Sequence, residues 1–251
     1  MKEFNIVIPA RLDSTRLPRK VLLDIGGAPM IRHVWDRAMQ SGAQSVVIAT
    51  DSSEVADVAR AFGAEVAMTS PDCASGTDRV AEVSQQREWA AQSVVVNVQG
   101  DAPLIDPGSI RQVADLLLDA PDASMSTLCV PLTHEDEYND PNVVKVTFSQ
   151  EGRALYFSRA SIPARGHSAD NKELMGWRHL GLYGYRVEAL QAISAAPPCK
   201  LELTERLEQL RALWLGHEIR IAVDENPAAP DVDTEADLEV VARLLQERLV
   251  Q

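Results

Sequence analysis

The sequence predicts an α/β protein with a mostly parallel sheet covered by helices. Three observations carry this expectation. Short apolar runs at Phe4–Ile8, Ser45–Ala49 and Ser93–Val98 read as strands buried on both faces. Helical patterns lie between them, and strand–helix–strand alternation is the signature of a parallel sheet sandwiched by helices. After about residue 120 the pattern becomes richer in strands, so a smaller β-rich part is expected there.

Taken in order, the first strand is Phe4–Ile8. Met30, Ile31, Val34, Trp35 and Ala38 then make one apolar helix face. Ile110, Val113, Ala114 and Leu117 make another, opened by Asp106 as N-cap and Pro107 at the first helical position. Ser124–Pro131, Val143–Phe148 and Ala154–Phe157 read as strands. Ser161–Gly176 is polar and without period, and reads as a mobile loop. Leu203, Leu207, Leu210 and Trp214 form a helical stripe, and Leu238, Val241, Leu245 and Leu249 form the last one. Neither an internal repeat nor a low-complexity tract breaks this order, and 251 residues supply ample core.

Composition excludes several functions. The chain carries 24 Lys+Arg against 37 Asp+Glu, a net charge of −13. Phosphate-backbone binding and polybasic membrane binding both need a cationic surface, so neither nucleic acid nor membrane is an expected partner. No apolar stretch is long enough to span a bilayer, and the start MKEFNIVIPARLDS does not read as a secretory signal. Cys73, Cys129 and Cys199 lie far apart without a CxxC pair, which fits free thiols in a reducing cytoplasm. The five histidines show no metal-ligand spacing.

Against this acidic background, Pro9–Lys20 reads PARLDSTRLPRK. It holds Arg11, Arg16, Arg19 and Lys20, four basic residues where the chain average predicts about one. The loop directly follows the first strand and therefore sits at the carboxyl edge of the sheet, where open α/β sheets bind ligands. A solvated surface loop is the plain alternative. Two prolines with Ser14 and Thr15 make the loop stiff and rich in donors, which suits a polyphosphate cradle. The Walker A and dinucleotide fingerprints are both absent, so this is neither a P-loop nor a hydride-transfer site.

Two acidic positions complement the loop. The third strand ends in VVVNVQGDAPLID, which projects Asp101 at the same sheet edge. A carboxylate facing a phosphate site is a natural Mg²⁺ ligand, although a turn aspartate explains it as well. Near the C-terminus, PDVDTEADLEVV places Asp231 and Asp233 ahead of the last helix. Thr234 serves as N-cap and Asp237 completes a capping box, a role that leaves Asp233 unexplained. In CASGTDRVAEV, Gly76 with Ser75 and Thr77 opens a helix whose first turn carries Arg79. A cation there opposes the helix dipole and points to a nearby anion.

The order PAR–STRLP–K, SGTDR, VNVQGD, ALYFSR, RHLGLYGYR, LEQLR and VDT–DL resembles the 3-deoxy-manno-octulosonate cytidylyltransferase family over about residues 4 to 245. The resemblance implies a nucleotide-diphospho-sugar-transferase-like fold, with the smaller β-rich part used in a homodimer. It implies a cytoplasmic enzyme of lipopolysaccharide biosynthesis. That enzyme joins CMP from CTP to the eight-carbon sugar acid Kdo and releases diphosphate, with Mg²⁺ as cofactor. The single domain 1–251 would divide into a nucleotide-binding part at about 1–120, a sugar-binding and dimerisation part at about 121–225, and a metal-site loop and helix at 226–251. By the same resemblance, Arg11, Ser14 and Lys20 bind the triphosphate, and Ser75, Gly76 and Arg79 form the nucleotide-binding turn. Asp101 and Asp233 bind the metal and, with Lys20, form the catalytic set. Gln99, Arg159, His179, Tyr183, Glu208 and Gln209 form the sugar-acid pocket. In the strand RHLGLYGYR, His179, Gly181, Tyr183 and Tyr185 share one face.

Three departures stand out. Arg19 replaces the usual glycine before the loop lysine, Ala102 replaces the glutamate of QGDEP, and Ala164–Met175 is unmatched. The last two leave a related sugar acid, such as 8-amino Kdo or sialic acid, as an alternative substrate. A non-catalytic nucleotide-binding regulator is the alternative from another class, and retention of both aspartates argues against it.

Overall fold

Branched apolar runs form the central strands of the computed structural model, which describes residues 3–12, 17–164, 176–224, 226 and 230–249. Side chains of the last helix are described through residue 247. In chain order come β1 (Asn5–Pro9), a 3-10 turn at Lys20–Leu22, the ribbon β2 (Asp24–Ile25) and β3 (Ala28–Pro29), α1 (Met30–Met39), β4 (Ser45–Thr50), α2 (Ser53–Ala61), β5 (Glu65–Met68), α3 (Gly76–Gln86) and β6 (Val94–Asn97). Then follow α4 (Pro107–Leu118), β7 (Met125–Pro131), α5 (Glu135–Asn139), β8 (Lys145–Phe148), β9 (Ala154–Ser158) and β10 (Trp177–Arg186). The chain closes with α6 (Val187–Ala195), α7 (Lys200–Glu205), α8 (Gln209–Trp214), β11 (Ile219–Val223) and α9 (Glu235–Leu249).

One nine-stranded sheet runs β11-β7-β10-β6-β1-β4-β5, with β8 and β9 attached beside β10. The pairs β1/β4, β1/β6, β4/β5 and β11/β7 are parallel. β10 is antiparallel to β6, β7 and β8, and β8 is antiparallel to β9. The expected α/β class holds, and the antiparallel part coincides with the β-rich stretch after residue 120.

Strands buried on both faces separate two apolar layers. Ile6 and Ile8 face a layer made with Ile31, Val34, Ile110 and Val113. Val7 points the other way, to a layer with Val80, Val83, Leu190 and Leu210. A third cluster anchors α9 through Val241 to Leu17, Ile25, Met30, Leu104 and Val232. This cluster brings the C-terminal segment back to the basic loop.

The caps form as the sequence predicts. Asp106 accepts from the Gly108 amide at 2.7 Å. Thr234 Oγ1 accepts from the Asp237 amide at 3.2 Å, and Asp237 Oδ2 accepts from the Thr234 amide at 2.8 Å. The stripe Leu203–Trp214 does not form one helix. Arg206 adopts a left-handed conformation (φ 54°) that splits it into α7 and α8. Leu207 and Leu210 are buried, whereas Leu203 and Trp214 are 66% and 61% exposed. Residues 165–175 of the expected mobile loop, and the Leu249 side chain, lie outside the described residues.

Arg19 also adopts a left-handed conformation, at φ 57° and ψ 29°. This conformation costs a residue with a Cβ about 1–2 kcal/mol, and glycine nearly nothing. Arg19 pairs with Glu54 at the start of α2. Arg19→Gly and Arg19→Ala both remove that pair, but only alanine retains the strain. The glycine variant should therefore be more stable than the alanine variant by about 1 kcal/mol in chemical denaturation. Equal stabilities would show that the turn carries no strain.

Candidate active site

A cleft of about 480 Å³ opens at the carboxyl edge of β1 and β6. It is bounded by the turn before α3 (Ser75, Gly76), the loop after β6 (Gln99, Asp101), and one face of β10 (His179, Gly181, Tyr183, Tyr185). The start of α8 (Glu208, Gln209) and the segment before α9 (Asp231, Asp233) complete it. The basic loop, the Asp101 loop and the α9 segment meet at its end. A Cβ on Gly100 would lie 2.7 Å from the Pro9 carbonyl oxygen, so the approach of the Asp101 loop to β1 requires glycine. The Val232 amide donates to the Asp101 carbonyl at 2.9 Å and fixes the α9 segment alongside.

At this junction the Lys20 Nζ donates to Asp101 Oδ2 at 2.6 Å and to Asp233 Oδ1 at 3.2 Å. Two carboxylates separated by 132 residues therefore converge on one cationic centre. Burial pulls the Lys20 ammonium toward deprotonation, but hydrogen bonds and charges from Asp101 and Asp233 outweigh it and raise its pKa. Asp231 lies beside them. Although part of this residue remains exposed at the cleft edge, loss of solvation, then the charges of Asp101 and Asp233, push its carboxyl up to about 7. Among the described residues, His, Cys, Asp and Glu side chains do not converge in threes on a single metal position.

The nucleotide-side residues divide. Ser75 caps α3 in a capping box with Asp78, and Ser75 and Gly76 line the cleft. Arg11 stands at the end of β1 and donates to the Cys73 carbonyl at 2.6 Å. Ser14, like Arg16, falls outside the described residues. Arg79 does not line the cleft; it is fully buried and donates to Thr69 and, at 2.8 Å, to Asp51. The anion expected near this cation is a carboxylate of the chain itself, and Arg79 fastens α3 to the end of β4. Asp51→Ala would leave a buried, uncompensated guanidinium. It should destabilise the fold by about 3 kcal/mol or more in urea unfolding. A change below about 0.5 kcal/mol would contradict this role.

On the opposite wall, Gln99, His179, Tyr183, Glu208 and Gln209 all reach the cleft. His179 Nε2 lies 3.0 Å from Thr127 Oγ1, whose single proton has the Leu180 and Leu182 carbonyls as acceptors. Burial pushes the His179 imidazolium down to about 3, so the ring is neutral at physiological pH. Burial, then the Tyr185 and Glu208 charges, push the Tyr183 phenol well up and keep it a neutral donor. Glu208 accepts from Thr77 at 2.9 Å, which joins α8 to α3 across the cleft.

Arg159 is not brought to this wall. Its Nε donates to the Glu205 carbonyl at 2.7 Å, and a terminal nitrogen donates to the Pro141 carbonyl at 3.0 Å. Its backbone is held as well. The Glu205 carboxylate accepts the Arg159 amide, and the fully buried Lys145 ammonium donates to the carbonyls of Arg159, Asp140 and Val143.

Sequence reasoning left Asp231, Asp51, Lys145 and Asn97 without a site role. Asn97, 2% exposed, lines the cleft opposite Tyr183 in the β6/β10 register. Its position just before Gln99 and Asp101 at a strand end was the available signal. Asp51 had a similar one, following β4 as Asp101 follows β6.

A cytidylyltransferase family model matches residues 5–219. A 3-deoxy-manno-octulosonate cytidylyltransferase of Thioalkalivibrio sulfidiphilus is 49% identical over 97% of this chain and 99% of that protein. One from Polynucleobacter necessarius is 51% identical over 97% and 96% of the respective chains. Among solved structures, a CMP:2-keto-3-deoxy-manno-octonic acid synthetase complexed with CTP superposes with a TM-score of 0.90 at 39% identity, covering 98% of this chain and all of the other.

Proposed function

This chain belongs to the cytidylyltransferase family, and from that membership we propose that it transfers CMP from CTP to the anomeric hydroxyl of 3-deoxy-manno-octulosonate, releasing diphosphate for lipopolysaccharide precursor synthesis. The convergence of Lys20, Asp101 and Asp233 at the cleft end carries this reading. Both substrates are anions, so their reacting ends must meet where the protein can hold positive charge.

The residues fit a Mg²⁺ ion. Asp101 and Asp233 already converge on one cation, the Lys20 ammonium, and two hard carboxylates completed by substrate oxygens suit magnesium. Bound there, Mg²⁺ would neutralise charge developing at the α-phosphate and lower the pKa of the sugar hydroxyl. The hydroxyl oxygen bonds to the α-phosphorus as the α–β phosphoanhydride bond breaks, and the hydroxyl proton is lost to solvent. Lys20, drawn from the carboxylates to the nucleotide, takes up the negative charge of the departing diphosphate. Gly76 allows the triphosphate to approach the α3 N-terminus closely, and Ser75 contributes a hydroxyl. Neutral His179 and Tyr183 offer uncharged hydrogen bonds to sugar hydroxyls. No covalent enzyme intermediate forms in this reaction, so it needs no nucleophile–base pair.

Two further parts of the reading have separate support. Leu155 on β9, Leu203 on α7 and Trp214 on α8 are all at least 60% exposed. These apolar side chains suit packing against a second copy of the chain, as a homodimer. Three free thiols suit a reducing cytoplasm.

A diphosphate-release assay tests the reaction. CTP, UTP and ATP are each paired with Kdo, 8-amino Kdo and sialic acid, with and without Mg²⁺. Release should require CTP, Kdo and Mg²⁺ together. Preference for another sugar acid would redirect the substrate assignment, and CTP binding without release on any sugar would favour the regulator.

A further inference from the structure

The loop from Thr69 to Ala74 joins β5 to α3 and ends at Ser75, the cap of the helix that borders the cleft. Pro71, Asp72 and Ala74 are exposed, so the loop relies on polar contacts for its shape. Arg79 holds Thr69 at its start. Glu82, also on α3, holds the next stretch. Its two carboxylate oxygens accept from the Ser70 amide at 3.1 and 2.9 Å. Its Oε2 also accepts from the Cys73 thiol at 3.2 Å, so one side chain grips the loop at two points. Burial, then the hydrogen bond to Glu82, push that thiol up to about 11, and it therefore stays a protonated donor. Gln86, four residues along α3, donates to Glu82 Oε1 at 3.0 Å and steadies the carboxylate.

Cys73 in turn faces the nucleotide side. Its carbonyl oxygen accepts from the Arg11 guanidinium at 2.6 Å. Arg11 follows Pro9, and a Cβ on Gly76 would lie 3.5 Å from Pro9 Cγ. The end of β1 and the entry of α3 are thus adjacent, and the Arg11 side chain is tethered where they meet. A guanidinium carries five N–H donors in a fixed plane, so the bond to Cys73 uses one and orients the others. A cation held in this way has less freedom left to lose when it meets a phosphate.

We propose that Glu82 is a positioning residue for the nucleotide: it fixes the loop so that the Cys73 carbonyl presents the Arg11 guanidinium to the triphosphate. The proposal rests on the use of CTP and on the assignment of Arg11 to its phosphates. Glu82 is an anion and does not serve the triphosphate itself. Its influence runs through the Ser70 amide and the Cys73 thiol to one backbone carbonyl, and from there to Arg11.

The experiment measures CTP affinity by titration calorimetry with Mg²⁺ and without sugar, so the result does not depend on which sugar acid reacts. Glu82→Ala should weaken CTP binding by about tenfold while the sugar KM in diphosphate release stays within about twofold of wild type. Glu82→Gln keeps an acceptor for the Ser70 amide and should stay within about threefold of wild type for CTP. Arg11→Ala should weaken CTP binding by about tenfold or more. Adding Glu82→Ala to Arg11→Ala should then change the affinity by less than about twofold, because Glu82 acts through Arg11. If alanine at position 82 prevents folding, Glu82→Asp, which withdraws the carboxylate from the loop, carries the same cycle. Losses that multiply in the double variant would overturn the positioning role and leave the reaction standing. So would a Glu82→Ala variant that melts earlier but binds CTP as the wild type does. Wild-type CTP affinity in Arg11→Ala would overturn both the proposal and the place of Arg11 at the triphosphate.

Discussion

Asp101→Asn is expected to lower diphosphate release from CTP and Kdo by about a thousandfold, with little change in thermal stability. The side chain is partly exposed and its main partner is Lys20, so the fold does not depend on its charge. The chemistry does, because Asp101 is one of two carboxylates converging on a single cationic centre and asparagine is a far weaker ligand for a hard cation. Turnover is measured at saturating CTP, sugar and Mg²⁺, alongside thermal unfolding. Near wild-type turnover would show that Asp101 holds no catalytic metal ion. A large drop in melting temperature would instead reassign it to stability.

Lys20→Ala should have the next largest effect. The ammonium lies between Asp101 and Asp233, and the loop that carries it is the most basic part of an acidic chain. Removing it should lower kcat/KM for CTP by about a hundredfold while leaving the sugar KM close to wild type. It also leaves two carboxylates facing each other without their bridging cation, which is unfavourable. The variant should therefore melt below the wild type without Mg²⁺ and recover when Mg²⁺ is added. An unchanged CTP constant would place Lys20 outside the triphosphate site. Failure of Mg²⁺ to restore stability would indicate that the carboxylates do not accept a divalent cation.

Local chemistry made much of this architecture readable. The buried strands declare themselves as β-branched apolar runs, and the caps at Asp106, Ser75 and Thr234 as polar residues at helix entries. The period-two pattern of RHLGLYGYR correctly places His179, Gly181, Tyr183 and Tyr185 on the cleft, despite a register irregularity between Leu180 and Tyr183. What escaped depends on pairings across the chain. Asp51 and Arg79 are far apart in sequence and meet because β4 and α3 meet. Spacing could not bring Asp233 to Asp101; packing of α9 into the third apolar cluster does. The break at Arg206 escaped because a left-handed residue was not glycine, so the usual punctuation was missing. Arg19 hides its turn in the same way. The resemblance assigns Arg159 to the sugar-acid pocket, but the carbonyls of Glu205 and Pro141 hold its guanidinium.

The central claim is that Asp101 and Asp233 hold one cation as a unit. Diphosphate release measured in Asp101→Asn, Asp233→Asn and the double variant tests it most directly. Residues acting as a unit lose their function together, so the double variant should fall within about threefold of the weaker single variant. A double-variant loss equal to the product of the two single losses would contradict the claim, because it would mean that the two carboxylates act independently.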